Sequence, residues 1–391
     1  MKTRVTRVVG ASVHRVAPRW LLVRLETDDG MVGWGEAIVP KRASAVEGAV
    51  EDLVRNIRGA DPDRIEDLWQ RMRTGGFFRT GPVLDTASAA VEQALWDIKG
   101  RRYGLPVYEF LGGAVRDSVR TYAWVAGDRP DDAVAQVATR IEQGYDAVKM
   151  NATAELDYLD RWAPVEALVA RMGAVRDRFG STVDIAVDFH GRVHRAMAKV
   201  LLRELEPFHP LWVEEPLPPG QEDLMPELAR VAGSIPLATG ERISSRAAFA
   251  RLLEQRVFDV IQPDVSLTGL FELEKLCRMA EAYDVAVAPH CPNGPVSLAA
   301  SLQVGMCAGN VVIQECSVGL HYNRGYAGLP PAELYQYLVD PAPLVMTGGR
   351  LSRPAGPGLG IQIDQEAVRS SPGWTVSDPD WRLPDGRLAE W

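Results

Sequence analysis

The chain has 391 residues, 46% of them hydrophobic, which suffices for a sizeable core and argues against disorder. A net charge of -9 and a pI near 5.3, with no basic cluster interleaved with aromatics, exclude a nucleic-acid surface. Four cysteines without CxxC spacing fit reduced thiols in a cytoplasmic protein, no stretch is long enough to span a bilayer, and segment 1–16 lacks the apolar run of a signal peptide.

In chain order, alternating segments over 5–36, around the turn Thr27-Asp28-Asp29-Gly30, predict a hairpin meander whose clearest pair is 20–26 with 31–36. Helical periodicity follows over 43–57, 63–72 and 86–103. Sheet first and helices second is the pattern of a small α+β domain, assigned to 1–115. Past Gly112-Gly113, strand and helix alternate. Strands are expected over 119–125, 145–150, 183–188, 211–214, 235–239, 258–262, 285–289 and 311–314, with amphipathic stretches at 130–143, 195–205, 245–255 and 269–283. Eight parallel strands joined by right-handed crossovers close into a TIM-type α/β barrel, assigned to 116–347, with functional residues at the C-terminal strand ends. The Pro/Gly-rich remainder, 348–391, has little periodicity and is expected to pack back on the first domain.

Chemistry-bearing residues recur on this frame. Asp188, Glu214 or Glu215, Glu241, Asp264, His290 and Glu315 fall 23 to 27 positions apart, about one strand-plus-helix unit per step. Three acids at consecutive strand ends converge on one point, and hard oxygen ligands suit Mg²⁺. Neighbours on a strand point to opposite faces, so the pattern alone leaves Glu214 and Glu215 open. His190, two residues after Asp188, shares its face if the strand continues, and His290 lies across the mouth beside Asp264. A carboxylate beside an imidazole fixes its tautomer and raises its proton affinity, which suits a general base.

These residues, together with Val32-Gly33-Trp34-Gly35-Glu36, Gln93-Ala94-Leu95-Trp96-Asp97-Ile98-Lys99-Gly100, Asp188-Phe189-His190-Gly191-Arg192, Val213-Glu214-Glu215-Pro216, Ala288-Pro289-His290-Cys291-Pro292 and Ala389-Glu390-Trp391, make the chain resemble the enolase superfamily, mandelate racemase subgroup. The resemblance implies a modified (β/α)7β barrel with an N-terminal α+β capping domain completed by the C-terminal tail. It implies Mg²⁺ on Asp188, Glu214 and Glu241, with Glu214 favoured over Glu215. His290, oriented by Asp264, would be the base at C2 of a sugar acid, His190 the acid for the departing C3 hydroxyl, and Glu315 a hydrogen-bonding partner of the substrate carboxylate.

The activity so implied is dehydration of an acid sugar, first of all D-galactonate to 2-dehydro-3-deoxy-D-galactonate, in a homo-oligomer of four or eight chains. Racemases of the superfamily typically carry Lys-x-Lys on the second strand, where this chain has Lys149-Met150-Asn151, so a racemase or epimerase is disfavoured. Another hexonate or pentonate, or a catalytically silent sugar-acid-binding protein, remain as alternatives. Lys149 and Asn151 are expected to meet the substrate, and Arg19, Arg79, Trp124 and His321 its distal hydroxyls. Segments 16–20 and 75–82 are candidate lids. Thr239 and Leu267-Thr268-Gly269, near the mouth, depart from the family pattern.

Overall fold

A computed structural model describes residues 6–125, 130–316, 335–374 and 380–390. The first unit opens with an antiparallel meander of β1 (Val8–Val16), β2 (Trp20–Thr27) and β3 (Val32–Ala37), followed by α1 (Ala43–Ile57), α2 (Ile65–Thr74) and α3 (Pro82–Tyr103). Helix α3 crosses β3 so closely that a Cβ on Gly33 or Gly35 would stand 2.2 Å from the Ala94 carbonyl oxygen or 1.8 Å from that of Ala90. The glycines of the Gly33-Trp34-Gly35 motif are therefore packing requirements.

The polar side chains of α3 are buried as well, and they join the cap to the barrel. Asp97 accepts from Trp34 N at 3.1 Å, Gln93 Oε1 accepts from Glu36 N at 3.0 Å, and Gln93 Nε2 donates to the Val265 carbonyl at 3.0 Å. Glu36 in turn receives Gly294 N at 2.6 Å and Ser297 N at 3.0 Å, which satisfies orphan donors at the start of a barrel helix.

The barrel strands are β4 (Ser118–Val125), β5 (Ala147–Asn151), β6 (Asp184–Asp188), β7 (Val213–Glu214), β8 (Leu237–Thr239), β9 (Val260–Ile261), β10 (Ala286–Val287) and β11 (Gln314–Glu315). They pair in parallel and in sequence from β4 to β10, β11 pairs with β4, and a parallel bridge from Val287 to Val311 closes the ring. Between them lie α4 (Pro130–Glu142), α5 (Ala163–Phe179), α6 (Arg195–Leu205), α7 (Met225–Ala232), α8 (Arg246–Gln255), the short α9 (Val265–Thr268), α10 (Leu270–Glu281) and α11 (Pro295–Cys307). This is the (β/α)7β arrangement with an antiparallel N-terminal sheet, as expected. Helix α11 shows no amphipathic periodicity in the sequence because every one of its residues is buried, leaving no polar stripe to mark a face.

One residue from each strand or its immediate flank packs into a small cluster inside the barrel: Tyr122, Ala147, Ala186, Trp212, Ala238, Val260, Ala288 and Ile313. The two large rings, Tyr122 and Trp212, meet edge to face at 5.4 Å, and the alanines opposite leave room for them.

In the tail, Gly358 and Trp374 bond the cap. Gly358 O accepts from Val107 N at 3.0 Å and Trp374 Nε1 donates to Trp20 O at 2.9 Å, with α12 (Gln365–Ser370) between. The earlier part differs from the expectation, because β12 (Arg350–Ser352) adds to β4 antiparallel and so belongs with the barrel sheet. Among the described residues no helix is long and apolar enough to cross a membrane.

Candidate active site

Every barrel strand delivers a side chain to the C-terminal mouth. Asp188 and Glu214 are the last residues of β6 and β7, Glu241 follows β8, and these three carboxylates have oxygens within 4.8 Å of one another. The open choice at the end of β7 is resolved. Glu214 turns into the barrel, where its Oε2 accepts from Trp212 Nε1 at 3.1 Å and Gln262 Nε2 at 2.7 Å, whereas Glu215 turns out to Arg242. Burial and then Glu214 push the Asp188 carboxyl well above its usual range, the expected state of crowded acids with too little positive charge. Three hard donors in mutual repulsion, two of them buried and Glu241 partly so, fit a divalent cation such as Mg²⁺.

Lys149 on β5 is 2% exposed, so it is not a solvated strand-end cation. Its Nζ lies 2.6 Å from Glu214 Oε1, 3.2 Å from Glu315 Oε1 and 3.8 Å from Asp188 Oδ2, and 5.1 Å from the Trp124 ring centroid. Burial alone would lower its proton affinity, but Glu214 and Glu315 outweigh that and hold the ammonium charged. Glu315, at the end of β11, is fixed by Cys291 N, which donates to its Oε2 at 2.9 Å.

His290 Nδ1 lies 2.8 Å from Asp264 Oδ2, and a parallel bridge holds the two residues side by side. A carboxylate only accepts, so the Nδ1 proton is spoken for and Nε2 faces the mouth, 3.2 Å from Glu241 Oε2. Burial opposes the charged ring, yet Glu241, Glu315 and Asp264 push its pKa up to about 10. Burial alone would raise Glu241, but the charged His290 first and then Arg242 pull it well below its ordinary value, so in the absence of a cation on the triad the two form an ion pair.

His190 stands on the other side of Glu241, its Nε2 3.9 Å from Oε1. Its approach differs from the expectation of a continuing strand. The chain turns left-handed at His190 (φ 54), and Asp188 Oδ1 accepts the His190 backbone N–H at 2.6 Å. Arg192 Nη2 lies 2.7 Å from Nδ1; a guanidinium can only donate, so the ring proton sits on Nε2, facing the mouth. Burial first, then the nearby cations Arg192, Arg242 and Lys149, lower the ring's proton affinity well below its usual value against the pull of Glu241.

These groups surround a cavity of about 210 Å³ whose lining includes Arg19, Trp124, Lys149, Asp188, His190, Glu241, Asp264, His290 and Glu315. Asn151 pairs in register with Asp188 but is not part of that lining, and Thr239 and Arg79 line other depressions. His321 lies outside the described residues. Ile38 and Pro40 from the cap and Leu267 and Pro292 from the barrel supply the apolar rim.

Some supporting residues had no role assigned from the sequence. Asn293 Nδ2 donates to Asp264 at 3.0 Å, and Gln262, Arg192 and Arg242 touch catalytic candidates directly. Arg192 follows His190 by two residues, Arg242 follows Glu241 directly and Gln262 precedes Asp264 by two, so their signal was nearness in sequence to an acid or an imidazole.

Comparison with known proteins agrees with this geometry. Residues 132–367 match the family model described as enolase C-terminal domain-like, and residues 3–112 match the N-terminal domain of mandelate racemase / muconate lactonizing enzyme. The chain is 46% identical over 390 residues to D-galactonate dehydratase of Ralstonia nicotianae, covering 98% of this chain and 100% of that protein. It is 47% identical, with the same coverage, to D-galactonate dehydratase of Variovorax paradoxus. Among solved structures, an enolase from Agrobacterium radiobacter with bound Na and L-malate superposes with a TM-score of 0.90 at 30% identity, over 98% of this chain and 100% of that one. A member of the enolase superfamily from Salmonella Typhimurium gives a TM-score of 0.85 at 31% identity, over 94% and 98%. The two domain matches together span nearly the whole chain, and with the converging strand-end acids they establish that it belongs to the mandelate racemase subgroup of the enolase superfamily.

Proposed function

We propose that this hydro-lyase dehydrates D-galactonate to 2-dehydro-3-deoxy-D-galactonate. The observation that carries the reading is the placement of two imidazoles about one carboxylate of the acidic triad, His290 Nε2 at 3.2 Å from Glu241 Oε2 and His190 Nε2 at 3.9 Å from Glu241 Oε1. A substrate seated on the triad would have a base on one side and an acid on the other. The curated relatives named above support the acid-sugar class.

Asp188, Glu214 and Glu241 would hold Mg²⁺, which when bound supplies Lewis acidity and positive charge toward the substrate carboxylate. The remaining steps belong to the chain's own residues. His290 Nε2 would be free of its proton once the Glu241 charge that favours the imidazolium is drawn off by a cation on the triad; it then takes the C2 proton, with Asp264 holding the ring and stabilising the imidazolium that results. Lys149, fixed between Glu214 and Glu315, offsets negative charge that develops as the proton leaves. His190 Nε2 delivers its proton to the C3 hydroxyl, which departs as water and leaves the ring an imidazolate beside Arg192, and the enol left behind takes a proton at C3 and releases its hydroxyl proton to become the 2-keto acid. Arg19 and Trp124, at the cavity edge, are placed to meet the distal hydroxyls.

Asn151 occupies the position where racemases of the superfamily carry a second lysine, so no ammonium there can serve a second face of C2. Formation of 2-keto acid across a panel of hexonates and pentonates, with and without Mg²⁺, tests the proposal. Galactonate should lead the panel, and turnover of a different acid sugar alone would reassign the substrate. Assembly as a tetramer or octamer is proposed as well, supported by Phe77 and Phe78, which are 92% and 88% exposed on the cap. A single-chain mass by light scattering would refute it.

A further inference from the structure

The ends of β6 and β7 contain an unusual concentration of left-handed backbone: His190 at φ 54, Gly191 at φ 61 and Glu215 at φ 40. For residues other than glycine this conformation is strained, and it persists only where surroundings over-determine it. The surroundings here converge on one guanidinium. Arg242 Nη2 donates to the His190 carbonyl at 2.9 Å, and Arg242 Nε donates to Glu215 Oε2 at 2.9 Å while lying 3.4 Å from Glu241 Oε1. Between the two strained residues, Gly191 N donates to the Glu215 carbonyl at 3.1 Å. A Cβ on Gly191 would stand 3.2 Å from Glu215 Oε2 and 3.4 Å from Arg242 Nη2, so the pair closes directly over that glycine.

We propose that Arg242 is a positioning residue which, with Glu215, clamps the turned ends of β6 and β7 and thereby presents His190 to the C3 hydroxyl of the substrate while Asp188 stays in the acidic triad. The turn is what lets two residues from one strand end do different work. Asp188 points down into the triad, and the chain then reverses hand so that the imidazole reaches the far side of Glu241. The planar fork of arginine suits this task because it reaches two acceptors on different strand ends at once, which an ammonium on a single axis does not.

The inference rests on the dehydratase reading, and its test separates the two. In Arg242→Met the acid is misplaced while His290 and Asp264 are untouched, so dehydration should fall about 100-fold or more, and exchange of the C2 proton with D₂O by less than about 10-fold. The ratio of exchange to dehydration should therefore rise, a signature that general loosening does not produce. Arg242→Lys, which keeps the charge, should lie between, and Glu215→Gln, which keeps an acceptor for Nε, should stay nearest the wild type. Equal loss of exchange and dehydration, or unchanged dehydration, overturns the proposal. If Arg242→Met does not fold, Arg242→Lys reads the same ratio. A crystal structure of the variant decides independently of turnover: His190 should leave the left-handed region, and retention of φ near its present value sinks the clamp. Should the wild type neither dehydrate nor exchange any acid sugar, the functional reading fails and the crystal structure still judges the clamp.

Discussion

His290 and Asp264 are bound Nδ1 to Oδ2 at 2.8 Å, and Asn293 grips the same carboxylate from another side at 3.0 Å. Asp264 is further occupied by Ser266 N, which donates to Oδ1 at 2.7 Å as α9 begins. The orienting carboxylate is thus fixed by a helix start and an amide, and the imidazole inherits that rigidity. His290→Asn should abolish both C2 exchange and dehydration, a loss of about 10²- to 10⁴-fold or more in each. Asp264→Asn should produce a smaller loss in both, because the ring remains and only its tautomer and orientation are released. Exchange measured by NMR in D₂O checks this, and survival of exchange in His290→Asn would reassign the base.

His190→Asn removes the acid and leaves the base. The proton at C2 should still exchange, slowly, while 2-keto acid formation drops by about 10²- to 10⁴-fold. Normal dehydration by this variant, or loss of exchange without loss of dehydration, would reverse the roles assigned across the mouth.

Much of the frame was readable because the barrel announces each strand end with an acid or an imidazole, and spacing alone then orders them. Helix α1 over 43–57 coincides with its predicted span because its apolar stripe faces one way. By contrast, α3 is buried nearly all round and carries Glu92, Gln93 and Asp97 inside, so neither its start at Pro82 nor its linking role was visible in periodicity. Apart from β4, the barrel strands are shorter than their apolar runs, β7 through β11 retaining two or three paired residues, since residues in the loops continue the buried pattern without keeping the ladder. At the site, the left-handed turn at His190 could not be read because a histidine does not advertise it; only the glycine after it hints at a change of direction. The choice of Glu214 over Glu215 likewise depends on that local backbone, and on Trp212 beneath.

The acidic triad predicts its own response to metal. Three carboxylates within 4.8 Å repel one another, and a divalent cation that binds the folded form relieves this. Mg²⁺ should therefore raise the unfolding temperature, with a stabilisation of about 2.7 kcal/mol at a free concentration a hundred times the Kd. Chelation should abolish turnover and added Mg²⁺ restore it. Glu241→Gln should remove both the thermal shift and the activity while circular dichroism stays native. Full turnover after chelation, or an undiminished Mg²⁺ shift in Glu241→Gln, would show that the triad is not the metal site.

A pH-dependent term is built into the cap–barrel junction at Glu92. Its Oε2 accepts from Leu270 N at 2.8 Å, and its Oε1 accepts from Phe271 N at 2.9 Å and Trp96 Nε1 at 2.6 Å, so one carboxyl of α3 caps α10. Burial pushes its pKa up from 4.5 to about 7, against the lowering effect of those donors. Below pH 4.5 the folded and unfolded chains both hold the proton and the group contributes no slope. Between 4.5 and 7 the folded chain keeps a proton that the unfolded chain has released, so stability falls as pH rises, by about 3 kcal/mol across the window, and levels off above it. Glu92→Gln has no proton to lose and one acceptor oxygen fewer. It should be less stable than the wild type in acid, and the gap should narrow by about 3 kcal/mol on going from pH 4.5 to pH 8. Taking the difference cancels titration elsewhere, including that of Glu36, which burial also raises to about 7. Urea unfolding of both proteins across this range measures it, and a gap that is flat or widens with pH would mean that Glu92 is ionised in the folded chain throughout.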